Sequence, residues 1–560
     1  MSQPVGPETV EWRDGVVGHD LDAFPGIESI EHGGAPVRAY ADRAPSVAAM
    51  FDAAVERAPD REAVVFPERD HRQTYADLAT RVDRVATGLA ASGIERGDVV
   101  SVVLSNRLAF VETFLACARL GAICAPVNTR VSARELGYLL DETDPACVVT
   151  EASFLDLVAE TAFEPPRLFV AGDADSGRPF AALRAADPDP PAVDHDEDDP
   201  VCVLYTSGTT GHPKGCEIES FQLTNAAVNY EVTFGTTDGV RSLCTVPLFH
   251  GAGLVSNAIH TLGLAGTLVV VDEFTPDGFL STIESEAVEW VLGVPTNYVL
   301  AMERADPGAY DLGSWEIGAY GGAPMPSETI ARLRAAFPGV DLCDAYGTTE
   351  TVAGLATFCP DQYTDDRAET IGIPSPVVQL AVVDGDGDPL GPDDVGELLV
   401  RGPIVVDRYL DRPEATAESF ASGPTPGLWY HTGDLASIDA DGFVSLKGRD
   451  RDKLVRGGEN IFALDVEEVL VAHDGVLEAS VTGFPDAVLG ERVLAAVVPK
   501  PGHQLTEDDL LAHCRDQLAD YKVPEIVRIL SELPKNPGGK VLKSELLPEP
   551  LEHGIGTGPD

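Results

Sequence analysis

The chain has 560 residues, 44% of them hydrophobic, and its 39 basic and 92 acidic residues give a formal net charge of −53. A single hydrophobic core stops growing near roughly 250–300 residues, so we expect several domains. The acidic field repels nucleic acid and anionic membranes, which excludes both as expected partners. Because the acidic residues are spread along the whole chain, they indicate a solvated surface of the kind found in halophilic proteins from very salty cytoplasm, rather than an acidic interaction tail.

Sequence patterns for export or membrane insertion are not found. The first residues, MSQPVGPETVEWRDG, have no basic region followed by an apolar one, so no secretory signal is predicted. The longest uncharged apolar stretch, 258–271, is shorter than the roughly 18–20 residues that span a bilayer, so no stable membrane insertion is expected. The nine cysteines form no CxxC pair and are interpreted as reduced structural thiols. Together these features predict a cytoplasmic protein.

Helical and strand patterns alternate from residue 46 onward, after an N-terminal extension over 1–45. Within 46–195, VAAMFDAAVERAPD and YADLATRVDRVATGLAASG have helical spacing, while VVSVVLSN and ACVVT are typical of buried strands. A Pro/Asp run over 185–200 is interpreted as a surface connection. Within 196–375, the strand-like segments SLCTVPL, GTLVVVD and WVLGVP stand between helical segments. This alternation predicts an α/β fold with two subdomains of parallel strands covered by helices.

The pattern changes after residue 375. Short strands with turn signals (VVDGDGDPL, GELLVRG and GFVSLKG) predict a small β-rich subdomain over 376–447, which completes a large N-terminal domain spanning 46–449. A mixed pattern over 450–548 predicts a smaller, mobile α+β C-terminal domain, followed by a tail over 549–560. Six of the eight lysines lie in this last part, and the shift in composition supports a separate domain.

One loop combines glycines, hydroxyl side chains and a rare cation. The stretch 205–215, YTSGTTGHPKG, follows the strand-like VCVLY and carries Lys214, the first lysine of the chain. Hydroxyls and backbone N–H groups in such a loop wrap phosphate oxygens, and a lysine supplies positive charge. The loop does not follow the GxxxxGK[ST] pattern, because Pro213 precedes Lys214 and Gly215 follows it. A flexible surface loop is the alternative interpretation, but the lone lysine in an acidic chain favours phosphate binding.

Further motifs follow this loop in a fixed order. They are GGAP (321–324), YGTTE (346–350), YHTGD (430–434), GRDRDKLVRGGENIF (448–462) and PKNPGGK (534–540). With YTSGTTGHPKG, this ordered set closely resembles the signature motifs of the AMP-forming acyl-adenylate ligases, the superfamily of acyl-CoA synthetases, adenylation domains of peptide synthetases and luciferases. The resemblance covers roughly 46–547 of the chain.

The resemblance implies a set of nucleotide contacts. It assigns the β- and γ-phosphates of ATP to the loop that ends at Lys214, the α-phosphate side to Thr349, Mg²⁺ to Glu350, and the ribose to Asp434 and Arg449. The other loop residues are Thr206, Ser207, Gly208, Thr209, Thr210 and Gly211. The adenine-side loop contributes Gly321, Gly322 and Ala323, and the further implied ATP- or AMP-binding residues are Asp344, Ala345, Tyr346, Gly347 and Thr348. Without the neighbouring motif residues, Glu350 would be interpreted as a solvated acid and Asp434 as a turn residue.

The C-terminal motifs carry the remaining implied roles. In the family, the lysine at the position of Lys540 bridges the substrate carboxylate and the α-phosphate during adenylation. The C-terminal domain then rotates about a hinge, here Arg451, and the Gly457–Gly458 face replaces that lysine for attack by the thiol of CoA. Many relatives have Asp or Lys at the hinge, so Arg451 departs from the pattern. For Lys540 the alternative is a surface lysine in a lysine-richer tail, and its spacing from Pro534 favours the catalytic role.

The segment PLFHG (247–251) begins a candidate pocket for the substrate acid. His250 is expected to gate the carboxylate or the thiol channel, and a packed histidine at a strand end is the alternative. The segments AIHTLGLAG and LGVPTNYVL would line an apolar pocket that suits an aliphatic or aryl acid.

The resemblance therefore implies an enzyme: an ATP- and Mg²⁺-dependent carboxylate–CoA ligase acting on a fatty or aryl acid. Its partners would be the small-molecule acid, ATP and CoA, and self-association as a homodimer is left open. The implied catalytic residues are Lys540, Lys214, Thr349, Glu350 and His250.

Other functions fit the residues less well or stay open. An adenylation enzyme that passes the acyl group to a carrier protein remains the alternative. A peptide-synthetase module is disfavoured because no room for a carrier domain follows residue 547. A kinase releasing ADP is disfavoured because the Walker pattern fails, and a non-catalytic nucleotide-binding regulator because every charged motif residue is intact.

Overall fold

The computed structural model divides the chain into two compact units. The larger comprises Met1–Thr432 with Ile438–Ser445, and the smaller comprises Gly433–Ser437 with Leu446–Asp560. The residues that the structure describes are 5–206, 213–323, 325–359, 367, 370–449, 453–456, 459–486, 490–535 and 541–547.

A seven-stranded sheet forms one α/β layer of the larger unit. Its strands, in spatial order, are Arg178–Pro179, Leu168–Ala171, Cys147–Glu151, Val99–Val103, Ile123–Pro126, Pro200–Tyr205 and Gly215–Glu219. All pairs are parallel except the last, in which Gly215–Glu219 runs antiparallel to Pro200–Tyr205. This antiparallel pair lies at the edge of the sheet and carries the loop 206–214 between its strands.

A nine-stranded sheet forms a second α/β layer. Its strands, in spatial order, are Ile373–Pro374, Thr357–Cys359, Asp341–Tyr346, Ile317–Gly321, Trp290–Gly293, Arg241–Cys244, Thr267–Val270, Glu62–Phe66 and His71–Thr74. The central strands are parallel and the edge pairs antiparallel. On the strand Trp290–Gly293, Val291 packs in one hydrophobic cluster while Trp290 and Leu292 pack in another. Because successive side chains point to opposite faces, the sheet is buried on both sides.

Chain order and sheet membership differ at two places. Glu62–Phe66, from the first half of the α/β region, pairs with Thr267–Val270 in the nine-stranded sheet. Conversely, Pro200–Tyr205 joins the seven-stranded sheet beside Ile123–Pro126. The two sheets are therefore built from interleaved parts of the chain. The domain boundaries proposed from the sequence stay predictions.

A third, seven-stranded sheet is mainly antiparallel. Its strands are Val10–Arg13, Val16–His19, Gln379–Val383, Gly396–Arg401, Leu428–Ile438 and Phe420–Ser422, with Val444–Arg449 pairing to Leu428–Ile438. The N-terminal segment is thus folded: its first hairpin joins this sheet, and Ile27–His32 pairs with Ala35–Tyr40 as a second hairpin.

Helices fill the connections of the larger unit. They are Val47–Arg57, Tyr75–Ala91, Leu108–Leu120, Ala133–Thr143, Leu155–Ala159, Ala181–Arg184, Ser220–Phe234, His260–Gly263, Pro276–Glu286, Pro295–Arg304, Ser327–Ala336 and Pro413–Ser419, with a π-helix at Ala252–Ile259. Local sequence explains where several begin. Thr74 with Asp77, and Ser132 with Glu135, form reciprocal capping boxes that satisfy free N–H groups at the helix start.

The smaller unit contains a five-stranded sheet and two longer helices. The strands are Glu459–Phe462, Lys453–Arg456, Gly490–Pro499 and Val476–Asp486, with Ile526–Ile529 parallel to Gly490–Pro499. The helices are Ala463–Val471 and Glu507–Gln517. A separate hydrophobic cluster, which includes Val466, Val497 and Leu510, forms the core of this unit.

The architecture confirms the predicted α/β class, with a large N-terminal part and a smaller C-terminal one. All nine cysteines are buried, and no disulfide joins any of them, as predicted. Within the described parts of the chain, every helix is too short or too polar to cross a bilayer.

Two glycines inside helices provide a matched test of packing. A Cβ on Gly88, in the helix Tyr75–Ala91, would lie 2.7 Å from backbone atoms of Leu183, whereas a Cβ on Gly137, in the helix Ala133–Thr143, would lie 3.7 Å from Thr161. We expect Gly88→Ala to lower the free energy of unfolding by about 1–3 kcal/mol through overpacking. We expect Gly137→Ala to raise it by up to about 1 kcal/mol through helix propensity. Urea titration followed by circular dichroism measures both, and equal shifts for the two variants would contradict the packing argument.

Candidate active site

The carboxyl ends of two neighbouring parallel strands bring the GGAP and YGTTE motifs together. Gly321, at the end of one strand, pairs with Ala345 of the other. A Cβ on Gly321 would lie 2.3 Å from the Ala345 carbonyl oxygen, so the close approach of the strands requires glycine. Gly322 follows with φ +81 and Ala323 is exposed. In open α/β sheets ligands bind at this end of the strands.

Asp344 lies on the same strand as Ala345, opposite Tyr320 of the neighbouring strand. Burial raises the pKa of its carboxyl to about 8. The carboxyl is therefore mostly protonated near neutral pH and offers both a hydrogen-bond donor and an acceptor at the end of the sheet.

The turn after this strand is fixed by its own hydrogen bonds. The N–H of Thr348 donates to Thr351 Oγ1 at 2.9 Å, and the N–H of Thr351 donates to Thr348 Oγ1 at 3.3 Å. Val352 and Ala353 follow with φ 61 and φ 45, which is strained for a β-branched residue. Such strain persists only where the surroundings over-determine it.

Helix Ser220–Phe234 supplies that surrounding support. The Tyr230 hydroxyl donates to the Ala353 carbonyl at 2.7 Å, and the Asn229 amide donates to the Leu355 carbonyl at 2.9 Å. Both side chains are buried, so the bonds are made away from solvent. The helix that follows the strand Gly215–Glu219 therefore holds the turn that carries Glu350.

Glu350 and Lys214 meet the same buried tyrosine. The Tyr409 hydroxyl donates to Glu350 Oε1 at 2.7 Å, and the Lys214 Nζ lies 4.1 Å from the centroid of the Tyr409 ring. Glu350 is 9% exposed and Tyr409 is 3% exposed. The structure thus brings together two predicted site residues from distant motifs through a residue that neither motif contains.

The backbone around Tyr409 lies along the edge of the strand Gly215–Glu219. Cys216 forms an antiparallel bridge with Tyr409, and the N–H of Leu410 donates to the Gly215 carbonyl at 2.8 Å. The N–H of Val406 donates to the Glu350 carbonyl at 2.9 Å. We call Val406–Leu410 the edge segment.

One backbone hydrogen bond joins the two ends of the glycine-rich segment. The N–H of Thr206 donates to the carbonyl of Lys214 at 2.9 Å, which continues the antiparallel hairpin one step beyond its strands. The predicted phosphate-binding residues Ser207, Gly208, Thr209, Thr210 and Gly211 lie outside the described residues.

His250 stands directly before the π-helix Ala252–Ile259. Its Nε2 is buried and has no hydrogen-bond partner among the residues that the structure describes. Burial, with a smaller contribution from Arg130, lowers the pKa of His250 to about 4. The imidazole is therefore neutral near pH 7.

The π-helix packs on the strained turn. A Cβ on Gly251 would lie 2.5 Å from the Ala353 Cβ, and Ser256 donates to the Ala353 carbonyl at 3.3 Å. The predicted acid-pocket segment therefore lies next to the YGTTE turn. π-Helical turns are rare and frequently occur at functional sites.

Of the residues predicted on the ribose side and in the C-terminal motifs, the structure describes only the ribose-side pair. Asp434 lies on the strand Leu428–Ile438 and is 6% exposed, and Arg449 ends the strand Val444–Arg449. The hinge residue Arg451, the predicted CoA-side residues Gly457 and Gly458, and Lys540 lie outside the described residues.

Three other lysines of the smaller unit are engaged in ion pairs. Lys522 lies 2.5 Å from Asp465, Lys535 lies 2.6 Å from Glu478, and Lys543 lies 3.1 Å from Glu467. These lysines therefore have structural partners within their own unit.

A further group of ionisable side chains lies beside the N-terminal hairpin. His32, Asp198 and Glu219 place ligand atoms within 4.8 Å of one another. The two imidazole nitrogens face different carboxylates: Nδ1 lies 3.4 Å from Asp198 and Nε2 lies 3.7 Å from Glu219. The His32 imidazole bridges two carboxylates and so links the hairpin of Ile27–His32 and Ala35–Tyr40 to the strand Gly215–Glu219. A metal ion would bind only one of the two imidazole nitrogens.

Tyr409 and Tyr430 are two buried residues of the site to which the sequence assigned no role. Tyr430 is buried, and Thr348 is among the groups that hydrogen-bond its hydroxyl. The Phe420 ring lies between the two tyrosines, 5.2 Å from Tyr409 and 5.5 Å from Tyr430. Tyr430 begins the YHTGD motif, whereas Tyr409 lies outside the named motifs and its partner Glu350 is 59 residues away.

Comparison with protein families identifies the family of this chain. The model of the AMP-binding enzymes matches residues 51–410, and that of the AMP-binding enzyme C-terminal domain matches 465–540. The chain belongs to the AMP-binding enzyme family, which confirms the resemblance drawn from its motifs.

Known relatives agree with this assignment. The chain is 35% identical to feruloyl-CoA synthase of Amycolatopsis sp over 473 residues, 84% of this chain and 93% of that protein. It is 32% identical to the long-chain-fatty-acid–CoA ligase FadD13 of Mycobacterium tuberculosis over 495 residues, 87% of this chain and 95% of that one. The crystal structure of ATP-bound MatB from Rhodopseudomonas palustris has a TM-score of 0.80 at 29% identity and covers 89% of this chain and 98% of its own. The protein is an acid–thiol ligase that forms acyl-CoA from a carboxylic acid and ATP through an acyl-adenylate.

The low pKa of His250 leads to a test of its role. Since an imidazole with a pKa of about 4 does not titrate near neutrality, we expect His250→Ala to lower kcat/KM by the same factor at every pH from about 6 to 9. Initial rates with saturating ATP across this range measure the ratio of wild type to variant. A ratio that changes through the usual range of histidine titration would show that His250 acts as a cation instead.

Proposed function

We propose that this ligase activates an aryl or aliphatic carboxylic acid with ATP and Mg²⁺ and transfers the acyl group to CoA, using its motif residues to hold the nucleotide. The observation that supports these roles most is the convergence of Lys214 and Glu350 on Tyr409. An ammonium and a carboxylate that contact the same side chain suit the phosphates of a nucleotide and its metal ion.

In this proposal the loop from Thr206 to Lys214 binds the β- and γ-phosphates. Two anions, the substrate carboxylate and the triphosphate, must approach each other in a protein of net charge −53. Lys214 supplies local positive charge, and Thr349 donates on the α-phosphate side. These groups are fixed before the charge develops, which is how electrostatic catalysis lowers a barrier.

Glu350 fits a magnesium ligand by its chemistry, because Mg²⁺ prefers carboxylate and phosphate oxygens. Its carboxylate is buried and accepts a hydrogen bond from Tyr409. When bound, Mg²⁺ would neutralise phosphate charge during attack by the carboxylate.

Base and sugar recognition would use neighbouring groups. The protonated Asp344 suits an adenine edge, which presents both donors and acceptors. Asp434 suits the ribose diol, because a carboxylate accepts hydrogen bonds from two adjacent hydroxyls. Arg449, from the next motif along the chain, would add a second contact to the ribose.

The reaction then proceeds in two steps. A substrate carboxylate oxygen attacks the α-phosphorus, giving acyl-AMP and pyrophosphate, with Lys540 bridging the two reactants. The CoA thiolate next attacks the acyl carbon and AMP leaves, after rotation about Arg451 brings Gly457 and Gly458 to the site. His250 and the π-helix are proposed to line the acid pocket, whose aryl or aliphatic preference is suggested by the named substrates of the two relatives.

Lys540 gives the sharpest test of the adenylation step. We expect AMP and pyrophosphate as products, and Lys540→Ala to reduce acid-dependent pyrophosphate exchange roughly 10²–10³-fold, since it removes a transition-state contact. Lys543→Ala is the matched control, because Lys543 pairs with Glu467 and a surface ion pair contributes little. Detection of ADP as the nucleotide product would exclude the mechanism.

The acyl acceptor is tested separately. A panel of aryl and aliphatic acids, assayed with and without CoA in molar KCl, is expected to give acyl-CoA only when CoA is present. Formation of acyl-AMP that CoA never accepts would instead favour a carrier-protein acceptor.

We further propose that the enzyme is cytoplasmic, works at high salt and serves fatty or aryl acid metabolism. Self-repulsion of an acidic surface falls as salt screens it. The midpoint of thermal unfolding is therefore expected to rise from dilute buffer to molar KCl, and a fall would contradict the proposal. Sedimentation at both salt concentrations tests for a homodimer.

A further inference from the structure

We propose that Tyr409 is a positioning residue that holds Lys214 and Glu350 in one arrangement before ATP and Mg²⁺ bind. The inference rests on the proposed roles of these two residues as phosphate and metal ligands. It adds a third member to the site, from a part of the chain outside the predicted motifs.

The hydroxyl of Tyr409 would orient the metal-binding carboxylate. It donates to Glu350 Oε1 at 2.7 Å. An ionised carboxylate has about four acceptor positions, so one bond fixes its plane and leaves the others for a cation.

The ring of Tyr409 would hold the lysine without neutralising it. The Lys214 ammonium lies 4.1 Å from the ring centroid. A π-face attracts a cation through its quadrupole and carries no net charge. A carboxylate paired directly with Lys214 would instead compete with the triphosphate for the ammonium.

Tyr409 itself is fixed by contacts that do not involve either residue. Its N–H donates to Thr416 Oγ1 at 3.0 Å, and its backbone bridges to Cys216. The Phe420 ring lies 5.2 Å away, and the residue is 3% exposed. The tyrosine is therefore a rigid support, and Lys214 and Glu350 are the groups that it places.

Two variants separate the hydroxyl from the ring. Tyr409→Phe keeps the ring under Lys214 and removes the bond to Glu350, whereas Tyr409→Leu removes both. Calorimetric titration of ATP without substrate acid, with and without Mg²⁺, gives a dissociation constant for each condition. The constant without Mg²⁺ reports on Lys214, and the gain on adding Mg²⁺ reports on Glu350.

We expect Tyr409→Phe to leave metal-free ATP binding unchanged and to reduce the gain from Mg²⁺ about 10-fold, the size of a hydrogen bond to a charged group. We expect Tyr409→Leu also to weaken metal-free binding, about 3–10-fold, through loss of the cation–π contact. In a Lys214→Ala background, the difference between the Phe and Leu variants should vanish, because the cycle isolates the ring–lysine pair.

Tyr75→Phe is the matched control. Tyr75 is fully buried and its hydroxyl donates to the Gly266 carbonyl at 2.7 Å, away from the motifs. This variant should leave both dissociation constants unchanged, and thermal midpoints verify that every variant is folded.

The outcomes distinguish failure of the positioning role of Tyr409 from failure of the ligand roles of Lys214 and Glu350. If Lys214→Ala and Glu350→Gln change ATP and Mg²⁺ binding while Tyr409→Phe leaves the gain from Mg²⁺ intact, the positioning role of Tyr409 is overturned and the ligand roles stand. A Phe–Leu difference that persists in the Lys214→Ala background also overturns it, since the ring would then act only as core. If Lys214→Ala and Glu350→Gln themselves change neither constant, the ligand roles fail, and the inference fails with them.

Discussion

The docking of the edge segment on the strand Gly215–Glu219 is the contact on which the geometry of the site depends. An exposed sheet edge leaves N–H and C=O groups unpaired, and here backbone bonds from the edge segment pair part of that edge. The same segment reaches the second sheet, because Val406 bonds to the Glu350 carbonyl in the turn after the strand Asp341–Tyr346. The hairpin with the glycine-rich loop and the turn with Glu350 belong to different sheets. One short stretch of backbone thus sets the distance between the motifs.

The acidic composition gives each cation a specific environment. In the C-terminal unit, Lys522, Lys535 and Lys543 each face a carboxylate. Lys214 lies on an aromatic face instead. This difference suits the proposed role of Lys214, because an uncharged ring brings no negative charge to a site that receives an anion in a protein of net charge −53.

Local patterns account for the parts of this protein that the sequence predicted well. The helices Val47–Arg57 and Tyr75–Ala91 follow apolar spacing and side-chain caps, and both appear where that spacing places them. The motif order was sufficient to identify the family, because each motif is contiguous. Interleaving of the sheets was not predictable, since the pairing of Glu62–Phe66 with Thr267–Val270 leaves no mark in either segment. Tyr409 was missed for the same reason: its partner Glu350 lies 59 residues away in the sequence.

The π-helix Ala252–Ile259 is held at fixed points on both of its sides. Gly251 packs on Ala353 at one end, and Ser256 bonds with Tyr230 and with the Ala353 carbonyl farther along. A wider turn between fixed points accommodates an extra residue relative to an α-helix, and each residue of an α-helix turns the chain by about 100°. In the proposed acid pocket, loss of a single residue here would tighten the turn and rotate a different set of side chains toward the acid. Because Gly251 and Ser256 contact Ala353, the same change would reach the turn that carries Glu350, so acid choice and nucleotide binding are mechanically linked through this segment.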